Sequence, residues 1–194
     1  MKDRCLRKIQ ELENLRSDLI NEYDSYTHDQ LLFSPEQDRW NLLQVLDHLI
    51  VYEKSSSIYM KRQLSAKKYP PAPGFKSKVH YKFYKISLVL PFRYKAPVIV
   101  DSSSKTPRLE QLKENWETIR KEIKMIVETT DEDLLTLGIY EHPRTGSMNM
   151  EQTLDFLKRH ILRHQKQIRR ITGHERFPVL NINCQNRAKQ LNFA

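Results

Sequence analysis

Four long stretches of this chain repeat apolar residues every three or four positions, which is the period of a helix buried along one face. They run from about Asp3 to Tyr26, from Trp40 to about Leu64, from Pro107 past Ile126, and from Asn149 to Thr172. The third stretch has the narrow seam of a bundle helix, formed by Leu109, Leu112, Trp116, Ile119, Ile123 and Ile126. Four helices of this length predict an all-α fold, and specifically a four-helix bundle.

The ends of the last two helices carry local signals. Thr106 can cap the third helix, with Pro107 as its first helical residue. Asn149, with Gln152 three residues later, resembles a capping box at the start of the fourth helix. Gly173 then supplies a C-terminal stop for that helix. These signals define limits that the apolar period alone leaves open.

The remaining segments are predicted to be connections of unequal length. Thr27–Asp38 is a connection, Asp131–Leu135 fits a short helical turn, and Glu141–Gly146 is a loop. About forty residues separate the second and third helices, and the prolines of Tyr69–Gly74 break any helix there. Lys82–Phe92 fits either a short helix or a strand. Because a connection this long can cross the bundle, consecutive helices need not alternate in direction.

The positive charge of the chain is concentrated in one segment. The net charge is +9, and Lys54–Lys95 contains eleven Lys or Arg residues and no Asp or Glu. Such a segment can attract an anionic substrate, a cofactor or nucleic acid, or it can be a solvated excursion that keeps the protein soluble. No DNA-reading motif accompanies it, so we do not expect nucleic acid to be a partner.

Composition and cysteine content limit the class of protein to which this chain can belong. Only 39% of the residues are hydrophobic and no apolar run approaches the roughly 20 residues that span a bilayer, so we expect no membrane segment. The charged N-terminus lacks the apolar core of a signal peptide. Cys5 and Cys184 are single cysteines near opposite ends, a pattern that fits a reducing compartment. These features predict a cytoplasmic protein.

The length of the chain is sufficient for one domain with a substantial core. We expect a single domain over residues 1–194, with the bundle at about 1–172 and a C-terminal extension at 173–194. That extension can pack back on the bundle or reach a second chain, which leaves a homodimer open.

Three histidines lie where the helical pattern can direct them inward. His160 and His164 are four residues apart, so they project from nearly the same helix face, and His48 flanks the apolar stripe of the second helix. His164 occupies a seam position, where a basic group is costly unless it is paired or ligated. Three imidazoles can hold a divalent metal with one position open, as in catalytic sites, although ordinary helix histidines are the alternative.

Other polar side chains near these histidines are less specific. His142 precedes Pro143 in the loop before the fourth helix, where it can act as an acid, a base or a substrate contact, or simply structure the loop. Tyr52 lies four residues after His48 and fits packing better than a role at a metal. Asp47 and Glu53 share the helix of His48, but neither stands out as a ligand or a general base.

Two motifs resemble the DinB and YfiT-like superfamily. They are Trp-Asn-Leu-Leu-Gln-Val-Leu-Asp-His-Leu at 40–49, and His-Pro-Arg-Thr-Gly at 142–146 followed by Phe-Leu-Lys-Arg-His-Ile-Leu-Arg-His-Gln-Lys-Gln-Ile at 156–168. The resemblance implies a four-helix bundle with a long connection between helices 2 and 3. It also implies zinc, nickel or a related ion, with His48, His160 and His164 as ligands. Similar proteins include thiol S-transferases that use bacillithiol or mycothiol, a thiol-dependent isomerase and metal-dependent hydrolases.

These features together predict a divalent-metal-dependent enzyme that acts on a small molecule. Our first hypothesis is transfer of a low-molecular-weight thiol, because no carboxylate stands out as the general base of a hydrolase and a metal stabilises the nucleophilic thiolate. The second is a hydrolase that uses a metal-activated hydroxide. The third is a protein without catalytic activity that binds metal or nucleic acid.

Overall fold

Five α-helices, one 3₁₀ turn and a β-hairpin make up the part of the chain that the computed structural model describes, residues 1–67, 69, 72, 74, 107–142 and 146–179. In chain order they are α1 (Lys2–Asp24), α2 (His28–Leu32), α3 (Leu42–Ala66), α4 (Leu109–Thr129), the 3₁₀ turn Leu134–Thr136, β1 (Tyr140–His142), β2 (Gly146–Met148) and α5 (Met150–Thr172). The long helices α1, α3, α4 and α5 correspond to the four predicted stretches. The prediction of a four-helix bundle is therefore confirmed.

The apolar stripes form the core as predicted. Every residue of the predicted α4 seam is buried, and Trp116 is fully so. The stripe of α5 is buried as well, with His164 partly buried in its midst. No helix among the described residues is long and apolar enough to cross a membrane.

Both ends of the segment predicted to be a loop, Glu141–Gly146, belong to β-strands instead. Strands β1 and β2 pair antiparallel, with Tyr140 opposite Met148 and His142 opposite Gly146. Gly146 has a φ of 73°, a conformation that residues with a side chain rarely adopt. Residues 143–145 lie outside the described part of the chain. Three-residue strands carry too little alternation to be recognised in a sequence.

Helix limits differ from prediction at two other places. The predicted connection Thr27–Asp38 contains α2, which Thr27 and Gln30 start with a capping box. Helix α4 begins at Leu109 with Arg108 as its N-cap, so Pro107 precedes the helix and does not open it. The predicted cap Thr106 and the segment Lys82–Phe92 lie outside the described residues.

The capping predictions at the last helix are confirmed. Asn149 and Gln152 form a reciprocal capping box, and the helix ends at Thr172 with Gly173 as its C-cap. Helix α3 starts with the same device, formed by Asn41 and Gln44. The two helices that carry the histidines therefore begin at defined residues, which fixes how far each histidine lies from the start of its helix.

Side-chain contacts give the direction of each helix in the bundle. Ion pairs between α1 and α5 advance along both helices together and join Arg4 to Glu151, Lys8 to Asp155 and Glu11 to Lys158. Helices α1 and α5 are therefore parallel. Contacts between α3 and α4 also advance together, from Glu53 with Trp116 and Arg120 to Ser57 with Glu122. Helices α3 and α4 are parallel as well.

The remaining neighbours are antiparallel. Asp24, at the end of α1, pairs with Lys113 near the start of α4, and Lys2 reaches the Glu128 carbonyl at the other end. On α3 and α5, His48 contacts His164 while Tyr52 contacts Phe156. The order is thus up, down, down, up. The long connection joins the end of α3 to the start of α4, and these points lie at opposite ends of the bundle.

Candidate metal centre

The fold brings His48, His160 and His164 together between α3 and α5. The Nε2 atom of His160 lies 3.3 Å from that of His48 and 3.2 Å from that of His164. One ring nitrogen from each histidine falls within 4.8 Å of the others. Because α5 runs antiparallel to α3, the pair spaced by four residues on α5 faces the single histidine on α3. This is the one such cluster of His, Cys, Asp and Glu side chains among the described residues.

Burial keeps these three imidazoles neutral. Desolvation lowers the pKa of His48 to about 4. Desolvation, reinforced by the proximity of His48, lowers the pKa of His164 to about 3. The pKa of His160 is also well below its ordinary value, first through burial and then through His164 and His48. A neutral imidazole offers a lone pair without first losing a proton, so the donor set fits a divalent metal ion.

Gln167 orients one of the candidate ligands. Its Oε1 atom lies 2.9 Å from the Nδ1 atom of His164, so the protonated Nδ1 donates to the amide oxygen. The Nε2 atom then carries the lone pair, and it faces the cluster. A partner of this kind fixes the tautomer and the ring orientation of a metal ligand. Gln167 follows His164 by three residues on the same helix face, a spacing that could have identified it.

Aromatic side chains surround the cluster. The ring of Trp40 lies 4.9 Å from that of His48 and stacks at 6.5 Å on His164. Tyr52 lies 4.5 Å from His160 on the other side, and Phe156 stacks on the same histidine at 6.0 Å. These rings displace water from the imidazoles, which explains why desolvation dominates their pKa shifts. Tyr52 packs here as predicted, and its hydroxyl lies 3.3 Å from that of Tyr140.

His142 lies beside the cluster but does not belong to it. It is buried on β1, and its ring is 4.9 Å from that of Phe156, which also stacks on His160. The proximity of His142 is the smallest of the causes that lower the pKa of His160, after burial, His164, His48 and Arg163. The hairpin therefore delivers a fourth imidazole to the edge of the site.

The carboxylate and thiol groups considered from the sequence lie elsewhere. Glu53 is buried against α4, where it accepts hydrogen bonds from Trp116 and Arg120. Asp47 is partly buried, and burial raises its pKa. Cys5 is fully buried, and desolvation raises the pKa of its thiol to about 11, so it is not a thiolate at neutral pH. Cys184 lies outside the described residues.

The chain is similar to a protein family in sequence and to a solved structure in fold. The sequence model of the DinB superfamily matches residues 11–168. Among solved structures, that of YfiT from Bacillus subtilis superposes with a TM-score of 0.61 at 19% sequence identity and covers 89% of this chain and 87% of YfiT. YfiT is described as a probable metal-dependent hydrolase with an unusual four-helix bundle topology. Comparison with curated proteins gave no match. The likeness to YfiT establishes a shared fold.

Proposed function

This chain belongs to the DinB superfamily, and from that premise we propose that it is a divalent-metal-dependent enzyme with His48, His160 and His164 as ligands. One observation carries the proposal. Three imidazole nitrogens from two helices converge within 4.8 Å, and burial keeps all three in the neutral form that binds metal. Hydrogen bonding among the rings does not by itself explain the cluster, because the Nε2 atom of His160 lies close to two other ring nitrogens and has one proton or one lone pair, so it can satisfy only one of them.

Zinc or nickel suits this donor set best. Imidazole nitrogen is a good ligand for both ions, while calcium and magnesium require oxygen. Three protein ligands leave one position open for water or substrate, which distinguishes catalytic from structural sites. A bound ion would supply Lewis acidity and so lower the pKa of a water or a thiol.

The reaction that we propose is transfer of a small thiol to an electrophilic substrate. Among the described residues no carboxylate belongs to the cluster, so a hydrolase would lack its usual general base. The buried thiol of Cys5 cannot serve as the sulfur nucleophile, and our proposal takes the sulfur from an external thiol. In this reaction the histidines hold the ion, Gln167 orients His164, and Trp40 with Tyr52 excludes water.

Hydrolysis is the second candidate, and the description of YfiT favours it. Its proton transfer would need a group near the cluster, and His142 is a titratable side chain close enough to affect His160, as is Arg163. The two candidates make opposite demands on His142. A thiol that binds as a thiolate needs no base, whereas attack by water does.

Metal content and substrate class can be tested together. Elemental analysis of native protein should find zinc or nickel, and protein loaded with cobalt should show visible absorption bands. His160→Ala should abolish those bands, while His28→Ala, a change of an exposed histidine on α2, should leave them intact. A protein that retains no metal, or cobalt bands that persist in His160→Ala, would refute the proposed site.

The thiol hypothesis has its own decisive result. A panel of cellular thiols should change the cobalt spectrum of the loaded protein, and transfer activity should survive in the Cys5→Ser, Cys184→Ser double variant. If no thiol changes the spectrum while esters or amides are hydrolysed, the protein is a hydrolase. In that case His142→Ala should abolish activity but retain the metal.

A further inference from the structure

A buried ion pair joins α3 to α4. Arg120 donates from Nη2 to Glu53 at 2.7 Å, and the Trp116 indole donates to the other carboxylate oxygen at 3.0 Å. Glu53 is 1% exposed, Arg120 5% and Trp116 0%. The Arg120 guanidinium also lies over the Trp116 ring, 5.6 Å from its centre. Removing these charges from water is costly, and burial raises the pKa of Glu53 although Arg120 opposes that rise.

This network is poorly suited to stabilising the fold. The Nε and Nη1 atoms of Arg120 are buried and have no hydrogen-bond partner among the described residues. Replacing a buried ion pair with apolar residues of similar size often leaves stability unchanged or raises it. Such a pair can instead specify one arrangement of the helices, because any other arrangement would leave two charges buried and unpaired.

Something other than the connecting segment must fix the axial position of α3 relative to α4. A short loop would hold two neighbouring helices at one height, but here the connection runs from residue 67 to residue 108 and joins opposite ends of the bundle. The apolar seams alone discriminate weakly between axial positions. Buried apolar residues recur every three or four positions on both helices, so a shift by one turn would set one apolar residue where another had been.

We propose that the Glu53–Arg120–Trp116 network sets the height of α3 in the bundle and thereby positions His48 for metal binding. This inference rests on the metal site proposed above. His48 precedes Glu53 by five residues on α3, so the two move together. A slip by one helical turn displaces His48 by about 5.4 Å, which exceeds its present 3.3 Å separation from His160. Glu53 and Arg120 are then positioning residues that touch neither the metal nor the substrate.

The Glu53→Met, Arg120→Met double variant tests this role. Two methionines fill the same space without a charge that requires pairing, so the protein should remain folded. Metal affinity, measured by competition with a chromophoric chelator, should fall roughly tenfold to a hundredfold, the loss found when groups that orient metal ligands are removed. In the metal-free protein, the nuclear Overhauser effect between the ring protons of His48 and His160 should disappear.

The exposed pair of Lys61 and Glu122 provides the matched control. It joins the same two helices at 2.9 Å, with its side chains 47% and 35% exposed. An exposed ion pair contributes little to the arrangement of two helices, so the Lys61→Ala, Glu122→Ala double variant should retain both the metal affinity and the Overhauser effect. A control that loses them equally would show that any contact between α3 and α4 matters, and would overturn the special role of the buried network.

The remaining outcomes also decide the question. If the methionine pair binds metal like the natural protein and keeps the Overhauser effect, the network does not position His48. If the methionine pair does not fold, the Glu53→Gln, Arg120→Gln double variant takes its place and should lose part of the metal affinity. A glutamine variant that binds metal like the natural protein, or that unfolds, would overturn the inference. If the natural protein binds no metal, the proposed function fails, and the Overhauser effect still reports the height of α3.

Discussion

The metal-free protein should lose stability as the pH falls from 7 to 5, because protons bind the unfolded histidines and not the folded ones. Burial lowers the pKa of His48 to about 4 and that of His164 to about 3, whereas an unfolded histidine titrates near 6.5. Below 6.5 the unfolded state therefore binds more protons than the folded state. Stability is fully present above the unfolded value and decreases as the pH moves toward the folded values.

The size of the loss follows from these pKa values. A pH of 5 is about 1.5 units below the pKa of an unfolded histidine, and each unit corresponds to about 1.36 kcal/mol of differential stability. His48 and His164 therefore cost about 2 kcal/mol each, or about 4 kcal/mol together. His160 adds to the loss in the same direction. A domain of ordinary stability has about 5–15 kcal/mol in total, so the midpoint of unfolding should shift visibly.

The assay is guanidinium unfolding of chelator-treated protein at pH 8, 7, 6 and 5, followed by circular dichroism. The matched variant is His48→Gln, His164→Gln, which keeps polar groups of similar size and has a flatter pH dependence. Contributions from carboxylates and from other histidines cancel in the difference between the two proteins. If both proteins lose the same stability between pH 7 and 5, the triad is not held in its neutral form and the electrostatic reasoning fails.

Two further predictions concern orientation of the site and packing. Gln167→Leu should weaken metal binding roughly tenfold to a hundredfold in chelator competition, because His164 loses the acceptor for its Nδ1 proton; an unchanged affinity would mean that packing alone orients the ring. Ile161→Ala and Ile119→Ala should each lower the free energy of unfolding by about 2–5 kcal/mol in denaturant melts, since both side chains are buried in the seams. A cost near zero for either would place it outside the core.

The bundle and the histidine cluster could be predicted because both depend on spacing along a helix. Residues three and four apart share a face, so the seam of α4 and the pair His160 and His164 are visible in the sequence. The inward position of His48 follows from the stripe of its own helix. That the two faces meet depends further on α3 and α5 being neighbours at a matching axial position, which spacing along a single helix does not show.

The parallel direction of α3 and α4 could not be predicted, because a long connection permits either direction. The buried ion pair had a signal that the sequence interpretation did not use. Glu53 follows Leu49 by four residues and Arg120 follows Trp116 by four, so each charge stands in an apolar stripe. A single charged residue in a stripe does not reveal its partner. That partner becomes apparent only when the directions of both helices are known.

Helix α2 and the hairpin were missed for a different reason, whereas the short turn predicted at Asp131–Leu135 overlaps the 3₁₀ turn Leu134–Thr136. Helix α2 has a capping box at Thr27 and Gln30, but five residues are too few to show an apolar period. The hairpin strands have three residues each, and the charged Glu141 lies between two buried side chains. Such elements form because the bundle offers a surface to cover, as His142 does when it contacts Phe156.

The helix order determines when the histidine triad comes into existence during protein synthesis. His48 is translated 112 residues before His160, and the two later histidines arrive with the last bundle helix. Chains fold progressively from the N-terminus as they emerge, so a nascent chain that ends with α4 carries one of the three imidazoles. Such a chain lacks two of the three ligands of the proposed site. Any metal held by all three histidines would therefore be acquired only after α5 has been synthesised, and its presence would mark a molecule in which α3 and α5 have met.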